Sequence, residues 1–124
     1  RRSEQLMPGA GLSTSYQAAL GATVVNIKAS GGRLHAVEIS NANVVSEFLQ
    51  LFDALAADVT LGTTTPKLSL AIPKGASATD VGIMDKAWGE EGVEFQTAIS
   101  AAVTTTNTGS TGPTTAVDAN FFFL

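Results

Sequence analysis

SEFLQLFDALAADVTLGTTTPKLSLAIP, running from Ser46 to Pro73, is the stretch whose reading decides the fold. Leu68, Leu70 and Ile72 alternate with Lys67, Ser69 and Ala71. A period of two places the three aliphatic side chains on one face of a strand, and that face is core. The segment Glu47 to Phe52 carries apolar groups on both parities, with Phe48, Gln50 and Phe52 on one and Leu49 and Leu51 on the other. Read as a strand it needs cover on both faces. Read as a helix, Phe48, Leu51, Phe52 and Leu55 form a stripe with Ser46 as N-cap. This segment alone leaves both readings open.

Working outward, turn and strand signals recur every eight to twelve residues or so, the spacing of a β-sandwich, and they favour the strand. Val25 and Ile27 mark a first strand within Ala22 to Ala29. Ser30, Gly31 and Gly32 offer a tight hairpin turn, and Arg33 to Ser40 returns as its partner. Asn41 to Asn43 forms the next turn. Glu47 to Phe52 and Lys67 to Ile72 then take the centre of the sandwich, with Asp53 to Asp58 as a turn and Val59 to Gly62 as a short edge piece. Val81, Ile83 and Met84 begin another strand, followed by the most polar part of the chain, Asp85 to Gly92. Val93 to Val103 is a strand with an irregularity at Ala98. Thr104 to Thr115 is a loop rich in Thr, Gly and Pro, and Ala116 to Leu124 closes the chain on Phe121, Phe122 and Phe123. Successive phenylalanines need cover on both faces, and an oligomer contact or a host surface is the expected cover for one.

Residues 1 to 21 mix charge, Pro8 and small polar residues without sustained periodicity, and are expected to form an extended arm with Leu6, Met7, Leu12 and Tyr16 as its adhesive points.

Composition bounds the function. The chain of 124 residues is of single-domain length, with 44% hydrophobic and only 15% charged residues. That balance suits short strands rather than long solvated helices. The formal charge of −4 argues against nucleic acid as the main ligand. No apolar run approaches the roughly 18 residues of a membrane span, so no membrane partner is expected. The absence of cysteine excludes disulfides, thiolate catalysis and Cys-ligated zinc.

No constellation for catalysis emerges. His35 is the sole histidine, no Gly-x-Ser-x-Gly elbow or phosphate-binding glycine loop is present, and an enzyme is not expected. Asp80, Asp85, Glu90, Glu91 and Glu94 cluster in sequence but lack EF-hand spacing, so a solvated loop is expected and no metal or cofactor is assigned. Trp88 is an expected core or interface anchor; its rival role is to stack on a sugar.

The phrases Phe48-Leu49-Gln50-Leu51-Phe52-Asp53, Val59 to Pro66, Phe95 to Ser100, Thr104-Thr105-Thr106 and Gly109 to Pro113 occur in an order that resembles small virion structural proteins of tailed bacteriophages. The resemblance covers about residues 22 to 124, and the acidic loop from Asp80 to Glu91 departs from it. It implies an all-β chain, an antiparallel, jelly-roll-like β-sandwich over 22–124 behind the arm 1–21. It further implies a capsid decoration or cement protein on the outside of a phage head. Such proteins often assemble as homotrimers and clamp neighbouring copies of the major capsid protein. The partner interface is then expected at Leu6, Met7, Leu12, Tyr16, Trp88, Phe121, Phe122 and Phe123. A carbohydrate-binding module on a virion surface and a head-to-tail or tail component are the competing readings.

Overall fold

A computed structural model of the chain describes residues 11–124, and the expected contacts Leu6 and Met7 lie outside them. Among the described residues the strands are β1 (Ser13–Leu20), β2 (Val25–Lys28), β3 (Gly32–Asn41), β4 (Glu47–Phe52), β5 (Leu68–Ile72), β6 (Gly82–Ala87), β7 (Val93–Phe95), β8 (Ile99–Thr104) and β9 (Val117–Phe123). They form two antiparallel sheets. Sheet one has the order β1-β9-β3-β6, with β7 also paired to β3, and sheet two the order β2-β8-β4-β5.

The pairing is nested. β4 pairs with β5, β3 with β6, β2 with β8 and β1 with β9, each antiparallel. The chain is thus one long hairpin rolled into two layers, the interleaved Greek-key arrangement of a jelly roll. Ser46 to Pro73 is the tip of that hairpin.

In β4 and β5, Leu49 faces Leu70 and Leu51 faces Leu68 across the sheet. These pairs join Leu34, Val37, Ile39, Ile99, Val103 and Phe121 in the core between the sheets. Each fully buried side chain of this size contributes about 1.5–3 kcal/mol of transfer free energy. The helical alternative for Glu47 to Phe52 is thereby excluded. β4 lies inside its sheet, as expected, but β5 lies at the sheet edge rather than at the centre. Pro66 and Pro73 bracket it, and proline cannot continue a ladder.

The expected hairpin across Ser30 to Gly32 is not formed. β2 belongs to sheet two and β3 to sheet one, so the connection crosses between layers. Neither glycine has the positive φ of a two-residue hairpin turn. They are required for a different reason: a Cβ at Gly31 would strike the Gln96 carbonyl, and one at Gly32 the Leu124 carbonyl.

A second crossing breaks the expected strand Val93 to Val103 into β7 and β8. The irregularity expected at Ala98 is the end of that crossing. Asp53 holds it, its carboxylate accepting hydrogen bonds from the backbone N–H groups of Gln96 (3.0 Å), Thr97 (2.7 Å) and Ala98 (3.4 Å). Burial pushes the Asp53 carboxyl up, but the three donors and the nearby Lys67 ammonium outweigh it and hold the group below the ordinary aspartate value. Val59 to Gly62 forms no strand: it follows the 3-10 turn Ala56–Asp58 and enters a turn at Leu61 and Gly62.

Within the expected arm, Ser13–Leu20 is a full strand on the edge of sheet one. Its serines, threonine and glutamine hide it from a search for apolar alternation, because an edge strand with an open face has little to bury.

Candidate partner-binding face

The two sheets differ in what lies on their outer faces. On sheet two, Gln50, Ser100 and Thr104 point away from the core and are nevertheless fully buried. The Thr-rich loop roofs Gln50 and Thr104, while the Ser100 hydroxyl donates to the Ala54 carbonyl (2.7 Å). Gln50 Nε2 donates to Thr104 Oγ1 (2.6 Å) and to the Gly109 carbonyl (3.1 Å), and Thr104 Oγ1 donates to the Thr106 carbonyl (2.7 Å). Ser69 Oγ reaches the Asn107 carbonyl at 2.7 Å. This roof supplies the second cover that the two-sided pattern of β4 demanded.

Sheet one has no such roof among the described residues. Register sets its outer face in rows across the strands. One row runs Tyr16, Asn120, Glu38, Asp85. A second runs Thr14, Phe122, Ala36, Ala87, and a third holds Asp118, Ser40 and Ile83. Tyr16 is 60% exposed and Ile83 48%. Between β3 and β6 lies a groove of about 300 Å³, floored by Ala36, Ala87 and Phe122 and rimmed by Glu38, Asp85 and Lys86. Glu38 and Asp85 stand directly opposite each other, a like-charge pair that weakens a sheet rather than supporting it. Apolar side chains and carboxylates are therefore interleaved on one open surface.

The residues expected at an interface fall in different places. Tyr16 and Phe122 share this face on adjacent strands. Phe121 does not: it is fully buried in the core, and Phe123 packs against the same core from the inner side. Only one of the three phenylalanines faces outward, because β9 alternates like any strand. Leu12, 45% exposed, precedes β1. Ile83, Glu38 and Asp85 also belong to the face and were not anticipated. Their pairing joins β3 to β6 across some fifty residues of chain, and no local pattern reports such a register.

Trp88 lies apart from this face. It is half-buried against the core, and the Lys86 ammonium sits 6.0 Å from its ring centre. The turn that carries it is fastened to β3: Trp88 N–H donates to the His35 carbonyl (3.0 Å), and Arg33 donates to the Glu91 carbonyl (3.0 Å). His35 Nδ1 lies 3.1 Å from the Gly89 carbonyl, which can only accept, so Nδ1 carries the proton. Gly89 and Gly92 both have positive φ, and a Cβ at Gly92 would press on the His35 ring. The histidine is a structural peg.

Among the described residues no three His, Asp or Glu side chains gather as a metal-binding group. Asp85 stands on the outer face, while Glu90 and Glu91 lie in the turn and Glu94 in β7. The other unusual carboxyl is Glu47. It shares the core-facing parity of Leu49 and Leu51, is fully buried, and has neither oxygen hydrogen-bonded. Burial pushes its carboxyl above the ordinary glutamate value.

No helix among the described residues is long and apolar enough to cross a membrane. No family model, curated protein or solved structure matches the chain.

Proposed function

We propose that this chain is a structural component of a phage virion, a decoration or cement protein that binds the outside of the head through the outer face of sheet one. The observation that carries the proposal is the contrast between the roofed face of sheet two and the open face of sheet one, where the exposed Tyr16 and Ile83 and the half-buried Phe122 lie beside the facing carboxylates of Glu38 and Asp85. Exposed apolar groups with a polar rim are what an interface presents before its partner arrives. Fold-level analogy points the same way, since jelly rolls recur in capsid proteins, although they recur also in lectins and cupins. The half-buried Trp88, covered by Lys86, supports the protein-partner reading over a sugar platform.

The test is localisation. Gold-labelled antibody against the purified chain is expected to decorate the head lattice of the intact virion. Label on the tail, at the neck, or on no part of the particle would overturn the head assignment. Recombinant Tyr16→Ala/Phe122→Ala protein is expected to retain its fold and to bind heads lacking the native protein at least about tenfold more weakly, a loss of about 1.4 kcal/mol.

A further inference from the structure

The four edges of the two sheets are not equally protected. β5 is short and bracketed by Pro66-Lys67 and Pro73-Lys74, β2 has only four residues and ends on Lys28, and β6 carries Asp85 and Lys86. Proline, charge and brevity are the usual means of keeping an edge from pairing with another chain. β1 has none of them. Its sequence, Ser13-Thr14-Ser15-Tyr16-Gln17-Ala18-Ala19-Leu20, is eight residues long and holds no charge and no proline. A bulge interrupts its ladder to β9 after Gln17, so the regular run is Ser13 to Gln17. Among the described residues nothing pairs along its other side.

We infer that β1 is a self-association strand, pairing antiparallel with β1 of a second copy about a twofold axis. Self-pairing sets each residue against one from the same strand, so any charge in the strand meets like charge nearby, and an uncharged run avoids that penalty. The molecule as a whole carries −4 and the adjoining face carries Glu38, Asp85 and Asp118, so two copies meeting through that face would set like charges together. Centring the axis on Ser15 keeps the whole pairing within the regular run. Ser15 then faces itself, Thr14 faces Tyr16 and Ser13 faces Gln17.

Two sheet-one layers become one continuous sheet, and their outer faces lie side by side. A five-residue ladder spans only about 17 Å, at the small end for a specific interface, so the dimer is weak and concentration-dependent. Its value is in doubling the open face, which raises occupancy on a repeating surface by avidity. The contact is isologous and closes at two copies; a trimer cannot be built through it. The self-pairing itself stands independently of the virion reading; only its avidity on a repeating surface rests on that reading.

Sedimentation of the full chain from about 1 μM to about 1 mM is expected to show a reversible monomer–dimer equilibrium. Thr14→Lys/Tyr16→Lys sets like charges across the axis at exposed positions. It is expected to weaken dimerisation at least about tenfold with an unchanged circular-dichroism spectrum. Because the chain has no cysteine, Ser15→Cys supplies an independent readout. On mild oxidation it is expected to form a disulfide dimer at least about tenfold faster than Asp58→Cys, placed in an exposed turn. A wild-type chain that stays monomeric throughout, a trimer, or a dimer that survives the lysines would each overturn the inference. Should the lysine variant fail to fold, equal cross-linking rates for the two cysteine variants would overturn it as well.

Discussion

The outer faces of the two sheets start from similar strands and end in opposite states. On sheet two, Gln50 and Thr104 are sealed under a loop whose carbonyls accept a hydrogen bond from each, and Ser100 is buried with its hydroxyl donating to the Ala54 carbonyl. On sheet one, Tyr16 and Ile83 are exposed and Phe122 is half-buried, beside Glu38 and Asp85. The residue types are the reverse of the simple rule: polar side chains are inside and apolar ones outside. Burial of a polar group is offset where its donors find partners, as the Gln50 amide nitrogen and the Ser100 and Thr104 hydroxyls do, although the buried Gln50 Oε1 has none among the described residues; an exposed apolar group is tolerable where something else is to cover it. The difference ties stability to one sheet's outer layer and leaves the other's open, the face to which the proposed function assigns recognition.

The sharpest way to break this comparison uses two adjacent phenylalanines of β9. Phe121→Ala empties a core position and is expected to cost about 3–5 kcal/mol, read as a drop in the urea midpoint. Phe122→Ala, one residue on and on the open face, is expected to cost less than about 1 kcal/mol. Equal losses would show that the sheet-one face is packed and is not a free surface.

Next in size is Asp53→Ala, which strips three backbone donors of their acceptor and is expected to cost about 2–3 kcal/mol. Its pH dependence follows from the direction of the shift. A carboxyl held low in the folded state contributes stability that is present above its unfolded value, near pH 4, and lost as pH falls through the lower folded value. Denaturant midpoints of wild type and variant are therefore expected to converge toward pH 2, and a constant gap would remove Asp53 from that role.

Gln50→Ala tests the roof itself. It is expected to cost about 1–2 kcal/mol and to raise amide exchange across 105–111, while exchange in β1 and β9 stays unchanged. Exchange rising equally in both sheets would mean that the roof is no separate layer.

The smallest effect runs the other way. Glu47→Met replaces an unpartnered buried carboxyl with an apolar chain of similar size and is expected to stabilise by about 1 kcal/mol at neutral pH. Because burial raises the folded value, the wild type keeps the full contribution of this group below about pH 4 and loses it as pH rises through the raised value. The gain from Glu47→Met is accordingly expected to vanish in acid, as a pH series of denaturant midpoints would read.

Strand type was legible wherever the environment on each side of the strand was simple. Leu68, Leu70 and Ile72 announced β5, and the apolar end of Ala116 to Leu124 announced a strand needing cover on both faces, which the structure bounds as Val117–Phe123. The break at Ala98 was legible from its disturbed parity. What could not be read were events set by distant backbone: the crossing at Gly31 and Gly32, whose glycines answer to Gln96 and Leu124, and the register that opposes Glu38 to Asp85. The interface residues were legible as types but not as faces. Parity within β9 separates Phe122 from Phe121 and Phe123 only once one of them is known to point inward. Glu47 carried a usable signal, since it shares the parity of Leu49 and Leu51, but a charged residue at a strand start is more often solvated.

The nested hairpin also sets an order of events during synthesis. β4 and β5 are neighbours in the chain and can meet as soon as Ile72 has emerged, whereas Ser13 finds its partner only in Phe123. β9 is an interior strand of sheet one, flanked by β1 and β3, so that sheet has a gap until the last of its strands is made. Pairings that span nearly the whole chain are slow to form. A ribosome stalled before Val117 would hold a chain with the inner turns of the roll in place and two open strand edges facing each other, a substrate for chaperones rather than a folded intermediate.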